Sequence, residues 1–254
     1  MDRFGLVLLL LLGSFTGYAQ TEGVCIPTGG KAALDKLFEQ ELNYPAVAKE
    51  AGIKGETVIT LHLAPDGAVR SMEVGRPLCP ECDAEALRVV RMVRWKPATA
   101  GEACTGKDIY LSVPFEPGKD KRWQKSRHTH SGGVFDLPAD TALIVLGPKQ
   151  LDKQIVPGIP NGMSGLPTYI GREMRYPAEA FRYSLDGTVK LEFIVEPTGS
   201  ISNMQVIEDV GGGCTDEAMR LLYRIPWSPG LKNGHRVRSV LQVSIRFDLP
   251  KRTR

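Results

Sequence analysis

Shifting the chain by 132 residues lays it on itself, and this duplication constrains the fold more than any other property. Tyr44-Pro45 falls on Tyr176-Pro177, Gly55 on Gly187, and Pro65-Asp66-Gly67 on Pro197-Thr198-Gly199. Cys82 falls on Cys214, Glu85-Ala86 on Glu217-Ala218, Arg88 on Arg220, Trp95 on Trp227, Pro97 on Pro229 and Phe115 on Phe247. Gly30 and Leu34 likewise meet Gly162 and Leu166 without a gap. Whatever one half folds into, the other must fold into as well, and 254 residues accommodate two such units.

Each copy predicts the order α-β-β-α-β. A first helix paints one apolar face with Leu34, Leu37, Phe38 and Leu42. Tyr44-Pro45 breaks it and starts a second, short helix. The next strand alternates Thr57, Ile59, Leu61 and Leu63, matched by Val189, Leu191, Phe193 and Val195. The residues between them (Val58, Thr60 and His62; Lys190, Glu192 and Ile194) are more polar, which predicts a sheet wet on its second face. Asp66-Gly67 is a strong hairpin turn and Thr198-Gly199 a weaker one. After a second strand, Asp83 and Thr215 suit the N-cap of a helix that Trp-x-Pro ends. The last strand alternates Ile109, Leu111, Val113 and Phe115, or Leu241, Val243, Ile245 and Phe247. The expected fold class is α+β, each copy a three-stranded antiparallel sheet with helices on one face. The expected boundaries are a leader over 1–19, a first domain over 20–116, a linker over 117–157 and a second domain over 158–250. Gly118 to Gly133 is basic and reads as solvated linker, whereas Thr141 to Leu146 is apolar enough for a stray strand.

The leader reads as a cleaved secretory signal peptide. Arg3 precedes an apolar run from Phe4 to Leu12, and Gly17-Tyr18-Ala19 places small residues for a cut before Gln20. As a helix, Phe4 to Ala19 would be about 24 Å long, short of the ~30 Å hydrocarbon core. The expected location is therefore the periplasm rather than an inner-membrane anchor.

Composition separates few function classes. A hydrophobic share of 42% with 24% charged residues is that of a globular protein, and a net charge of +3 with scattered basic residues gives no nucleic-acid footprint. Gly211-Gly212-Gly213 resembles a phosphate loop in composition but lacks the Lys-Ser/Thr that would grip a phosphate. No catalytic constellation, cofactor motif or small-molecule substrate site is evident, so the reading is of a binding protein and not an enzyme. Five cysteines follow the leader: Cys25, Cys79, Cys82, Cys104 and Cys214. In an oxidising compartment Cys79 or Cys82 is expected to pair with Cys104, leaving Cys214 without a partner in its own copy. The alternatives for Cys79-Pro-Glu-Cys82 are a thiol–disulfide centre, which lacks its usual βαβ setting, and zinc. None of His62, His128, His130 and His235 has ligand spacing, and no metal is expected.

Taken in order, these landmarks carry a resemblance. Gly29-Gly30, Leu34, Tyr44-Pro45, Ala48, Gly52-x-x-Gly55, Asp66-Gly67, Asp83-x-x-Ala86-Leu87, Trp95-Lys96-Pro97 and Val113-Pro114-Phe115 resemble the C-terminal domain of the TonB energy transducer. The second copy keeps Tyr176-Pro177, Ala180, Gly187, Gly199, Asp216-Glu217-Ala218 and Trp227-x-Pro229. The resemblance implies binding of the TonB box, an extended peptide of an outer-membrane TonB-dependent transporter, by pairing with the edge of the last strand. Carried onto this chain, the partner-binding candidates are Arg238, Leu241, Gln242, Val243, Ser244, Ile245 and Arg246, with Tyr44, Pro45, Tyr176 and Pro177. Tyr-Pro at both places reads equally as a helix start with a core tyrosine. The first copy carries Pro114 where the second carries Arg246, so the second edge keeps more donors. Arg236, Arg238 and Arg246 are expected to favour an acidic or polar peptide. A transducer needs an anchor and a long spacer, whereas about six residues separate the expected cleavage site from the first domain, a reach of ~20 Å. The expectation is a soluble binder, with a periplasmic adaptor or a homodimer through edge strands as the alternative.

Overall fold

The computed structural model of the chain describes residues 24–99, 103–104, 108–127 and 132–249. The expected leader lies outside them. Among the described residues no helix is long and apolar enough to cross a membrane.

The first copy runs β1 (Cys25–Pro27), α1 (Gly30–Glu41), α2 (Ala46–Glu50), β2 (Gly55–Leu63), β3 (Val69–Arg76), α3 (Pro80–Val90), β4 (Trp95–Pro97) and β5 (Ile109–Phe115). A helix α4 (Pro117–Ser126) and a connecting segment lead to β6 (Val156–Pro157). The second copy then gives α5 (Gly162–Glu173), α6 (Ala178–Arg182), β7 (Gly187–Val195), β8 (Ile201–Glu208), α7 (Cys214–Tyr223) and β9 (Trp227–Ser228). It closes with β10 (Gly230–Lys232), β11 (His235–Val237) and β12 (Ser239–Phe247). The expected sheets form, ordered β3-β2-β5 and β12-β7-β8 with every neighbour antiparallel. Period-two alternation drives this: Thr57, Ile59, Leu61 and Leu63 are all buried against the helices, as are Val189, Leu191, Phe193 and Val195. Burying one whole face fixes the register, because a one-residue slip would expose all four side chains.

Several repeated residues prove to be latches. Glu85 accepts the Asn43 N–H at 2.7 Å and pairs with Arg88, which donates to the Glu41 carbonyl. Glu217 does the same with the Arg175 N–H and Arg220, whose other donor meets the Glu173 carbonyl at 2.9 Å. Each set ties the end of the first helix of a copy to the helix before Trp-x-Pro. Burial would raise the Glu217 carboxyl, but hydrogen bonds from Arg220 and the Arg175 N–H outweigh it and hold the group below its ordinary value.

Three features depart from the sequence expectation. The segment read as solvated linker begins as α4, with Pro117 in its first turn. Asp120, Trp123 and Arg127 recur at helical spacing and face the first copy. Asp120 is 3% exposed and takes the Lys49 ammonium at 2.9 Å, Trp123 packs on the core, and Arg127 donates to the Glu39 and Leu42 carbonyls. Second, Asn233 and Gly234, both at positive φ, turn a hairpin between β10 and β11 that the α-β-β-α-β order does not include, and the final strand starts after it at Ser239. Third, the second face of the second sheet is not wet throughout: Ile194, Glu196 and Ser202 are buried there.

What buries part of that sheet is the first copy. Helix α1 packs on β8, and Gly29 makes the approach possible: at φ 80° a Cβ there would lie 1.8 Å from the Met204 carbonyl oxygen. Asn203, itself at φ 49°, accepts the Arg94 N–H at 2.7 Å and donates to the Met92 carbonyl at 3.0 Å. Glu41, 5% exposed, accepts hydroxyl hydrogen bonds from Thr198 and Ser200. Burial raises its carboxyl above the ordinary 4.5, with the Ser200 and Thr198 hydrogen bonds acting the other way. A carboxyl raised in the folded state contributes fully below its ordinary value and loses that contribution as pH climbs through the raised one. Glu41→Gln still accepts from both hydroxyls and carries no charge. The variant is therefore expected to gain stability relative to the parent as pH rises from 4.5 to neutrality. Urea midpoints at the two ends test this, and a difference that ignores pH would remove Glu41 from the account.

Candidate docking edge

Strand β12 is the outer strand of the second sheet, and its first residues are already paired. The Val240 N–H donates to the Leu146 carbonyl at 3.0 Å, and the Leu146 N–H to the Arg238 carbonyl at 2.9 Å, a parallel bridge from the connecting segment. On β11, the Arg236 carbonyl accepts the Asp140 N–H and the Arg236 N–H donates to the Pro138 carbonyl, both at 2.8 Å. The stray strand expected over Thr141 to Leu146 is thus reduced to the Leu146 bridge. Since Val240 turns its N–H away from β7, alternation along an antiparallel strand turns the N–H and C=O of Gln242, Ser244 and Arg246 away too. Among the described residues no strand pairs with those three. Leu241, Val243 and Ile245 give their backbone groups to β7 and their side chains to the core side.

The remaining candidates fall in different places. Gln242 donates to Glu192 at 2.7 Å, and Arg246 pairs with Asp248 at 2.8 Å, so both side chains lie on the exposed face. Arg238 is not a surface cation. It is 5% exposed, holds Glu196 through two hydrogen bonds of 2.7 and 2.8 Å, and donates to the Leu143 and Met92 carbonyls. Its charge is used within the molecule and steers no peptide. Tyr176 turns its hydroxyl to the Leu185 carbonyl at 2.5 Å and sets its ring edge-on to Phe247, with centroids 6.1 Å apart. Tyr44 likewise donates to the Ile53 carbonyl and packs its ring on Phe115, tilted at 51° with centroids 5.9 Å apart. Pro45 and Pro177 are the N-cap residues of α2 and α6. These four residues lock short helices to strand ends and lie off the open edge.

The edge of the first copy differs. Pro114 occupies the position equivalent to Arg246, opposite Glu56, and offers no outward donor. Trp123 of α4 lies beside Pro114 and Phe115.

The cysteines pair otherwise than expected. Cys104 joins Cys25, and Cys79 joins Cys82. Cys25 sits on β1, which pairs with β4, so that bridge staples the start of the copy to the loop after β4. Cys79 is 7% exposed and Cys82 fully buried, with the Cys82 N–H donating to the Cys79 sulfur at 3.1 Å. Burial leaves little of this bridge for an incoming thiolate to reach, which fits a structural role. Cys214 is free and buried, and burial raises its thiol. The triple glycine is a packed turn: all three residues have positive φ, and a Cβ on Gly212 would meet the Ala180 backbone at 2.8 Å. No group of three or more His, Cys, Asp or Glu among the described residues could hold a metal. His62 pairs with Asp108, and His128 and His130 lie outside the described residues.

The family model for the Gram-negative bacterial TonB protein C-terminal matches residues 40–116 and 172–249, more than half of the chain. The chain belongs to the TonB C-terminal family. Both matched stretches end just beyond the last strand of their copy, so two tandem TonB C-terminal domains are present. Most of α1 and α5, and all of α4, lie outside the matched residues. No curated protein matched the sequence.

Proposed function

We propose that this protein is a periplasmic, non-enzymatic binding module whose second TonB C-terminal domain docks an extended peptide by adding it as a fourth strand beside β12. The observation that carries the reading is the open run of outward N–H and C=O groups at Gln242, Ser244 and Arg246, on the last-strand edge that the resemblance to TonB implies. A TonB box of an outer-membrane TonB-dependent transporter is the partner class the family membership supports. The first domain, with Pro114 on its edge and α4 alongside, serves as a support that packs on β8.

Outward polarity makes the test specific. Arg246→Pro copies what the fold already tolerates at Pro114, and Gln242→Pro removes a second outward donor without touching the β7 ladder. At roughly 1 kcal/mol per lost hydrogen bond, the double variant is expected to bind transporter peptide about thirtyfold more weakly. Val243→Pro, whose N–H faces β7, is expected to unfold the domain instead. Solubilised outer-membrane proteins passed over the immobilised mature chain should leave transporters on the parent and not on the double variant. Equal retention by a folded double variant would sink strand addition. A parent that sediments as a dimer, dissolved by the same substitutions, would favour pairing between two copies of β12.

A further inference from the structure

Beside the open edge, the second domain differs from the first in a way that backbone pairing does not require. Helix α5 and β12 enclose a groove of about 590 Å³. Three of its α5 positions carry Met163, Pro167 and Gly171, where the equivalent positions of α1 carry Lys31, Asp35 and Glu39. The first-domain cleft is of similar size, about 510 Å³, but charged, with Lys119 and Arg122 of α4 lining it as well, and Trp123 also lines a separate small pocket of about 10 Å³ with Leu42. In the second domain no described segment covers the groove, and Met163 is 42% exposed. The equivalent of Leu42 there is Met174, so the place that takes the Trp123 indole in one domain stands open in the other.

We propose that this groove selects the partner, and that the strand docking on β12 carries large apolar side chains at every second position, one of them aromatic or long aliphatic. The proposal rests on strand addition at β12. A residue paired across from Val243 or Ile245 shares their face, and both of those side chains face the helices. Alternate side chains of the added strand therefore fall between β12 and α5, on Met163, Pro167 and Ile170. The residues between them share the exposed face of Gln242, Ser244 and Arg246 and are polar. The α5 wall precedes the family-matched residues 172–249, so this selectivity belongs to the chain and not to the family match.

The probe is a phage-displayed library of random linear peptides of about ten residues, panned against the full mature chain. Two variants read the outcome. Met163→Lys, Pro167→Asp and Gly171→Glu together transplant the first-domain residues into the groove; a side chain at Gly171 meets open space, and the same residues fold in α1. Gln242→Pro with Arg246→Pro closes the edge. The expected result is enriched sequences alternating large apolar and polar residues, whose binding falls roughly tenfold or more on either variant, because a charge placed in the groove must be desolvated. Peptides that lose binding with the proline variant but not with the charged triple variant would overturn the groove and leave strand addition standing. Peptides indifferent to both, or no enrichment at all, would overturn both.

Discussion

Arg238→Ala is expected to cost about 3–5 kcal/mol of unfolding free energy. The cost comes from what is left behind rather than from what is removed. Glu196 is fully buried, its two oxygens take the Arg238 Nε and Nη2 at 2.7 and 2.8 Å, and among the described residues the other side-chain donor it meets is the Ser202 hydroxyl. Without the guanidinium a carboxylate would stand in a site closed to water. The same guanidinium also bonds the Leu143 carbonyl of the connecting segment and the Met92 carbonyl of the first domain. The loss should therefore register at two places: a lower urea midpoint, and faster proteolysis of the segment around Leu143. Arg238→Met with Glu196→Met removes both charges and should recover most of the loss, since an apolar pair of similar volume costs little. A single variant within about 1 kcal/mol of the parent would mean that the pair contributes nothing that water cannot replace.

Arg238 also shows where the sequence stops being legible. An arginine beside a predicted edge strand reads as exposed, because that is where arginines mostly are. Its partner Glu196 lies 42 positions earlier, and only the packing of α1 and the connecting segment closes the site. One signal was present: Ile194 breaks the polar pattern of a face expected to be wet, and an apolar residue there announces a covering surface. Helix α4 was hidden for a related reason. Its core-facing residues are Asp120, Trp123 and Arg127, two of them charged, and their partners are Lys49 and backbone carbonyls at the end of α1. Apolar periodicity cannot find a face built from ion pairs. The sheets, in contrast, were readable because two copies repeat the same alternation, and local pattern and burial agree at every position of β2 and β7 that faces the helices. The open edge was only half readable. Its strand could be named, but which residues turn outward waited on the Leu146 bridge to Val240.

The two disulfides are expected to differ widely in what they contribute, and the difference separates a structural pair from a redox one. The Cys25–Cys104 bridge closes a loop with a sequence separation of 79, and loop-closure entropy assigns it about 4.5 kcal/mol of stabilisation, acting through the unfolded chain. The Cys79–Cys82 bridge closes a separation of 3, for which the same relation gives about 2 kcal/mol. Cys25→Ser with Cys104→Ser should therefore lower the urea midpoint far more than Cys79→Ala with Cys82→Ala. Apolar alanine suits the second site, where Cys82 is fully buried beside Ala86 and Val89. Two β1–β4 pairs adjoin the long bridge, Cys25 with Pro97 and Ile26 with Lys96, and they should open with it. Hydrogen exchange at Ile26 and Lys96 is the local readout. Mild reductant supplies the converse test. Because Cys79 and Cys82 are buried at 7% and 0% exposure, their bridge should resist dithiothreitol until the domain unfolds. If it opens in the folded protein while Cys25–Cys104 stays closed, the pair is accessible to thiolate attack and the structural assignment is wrong.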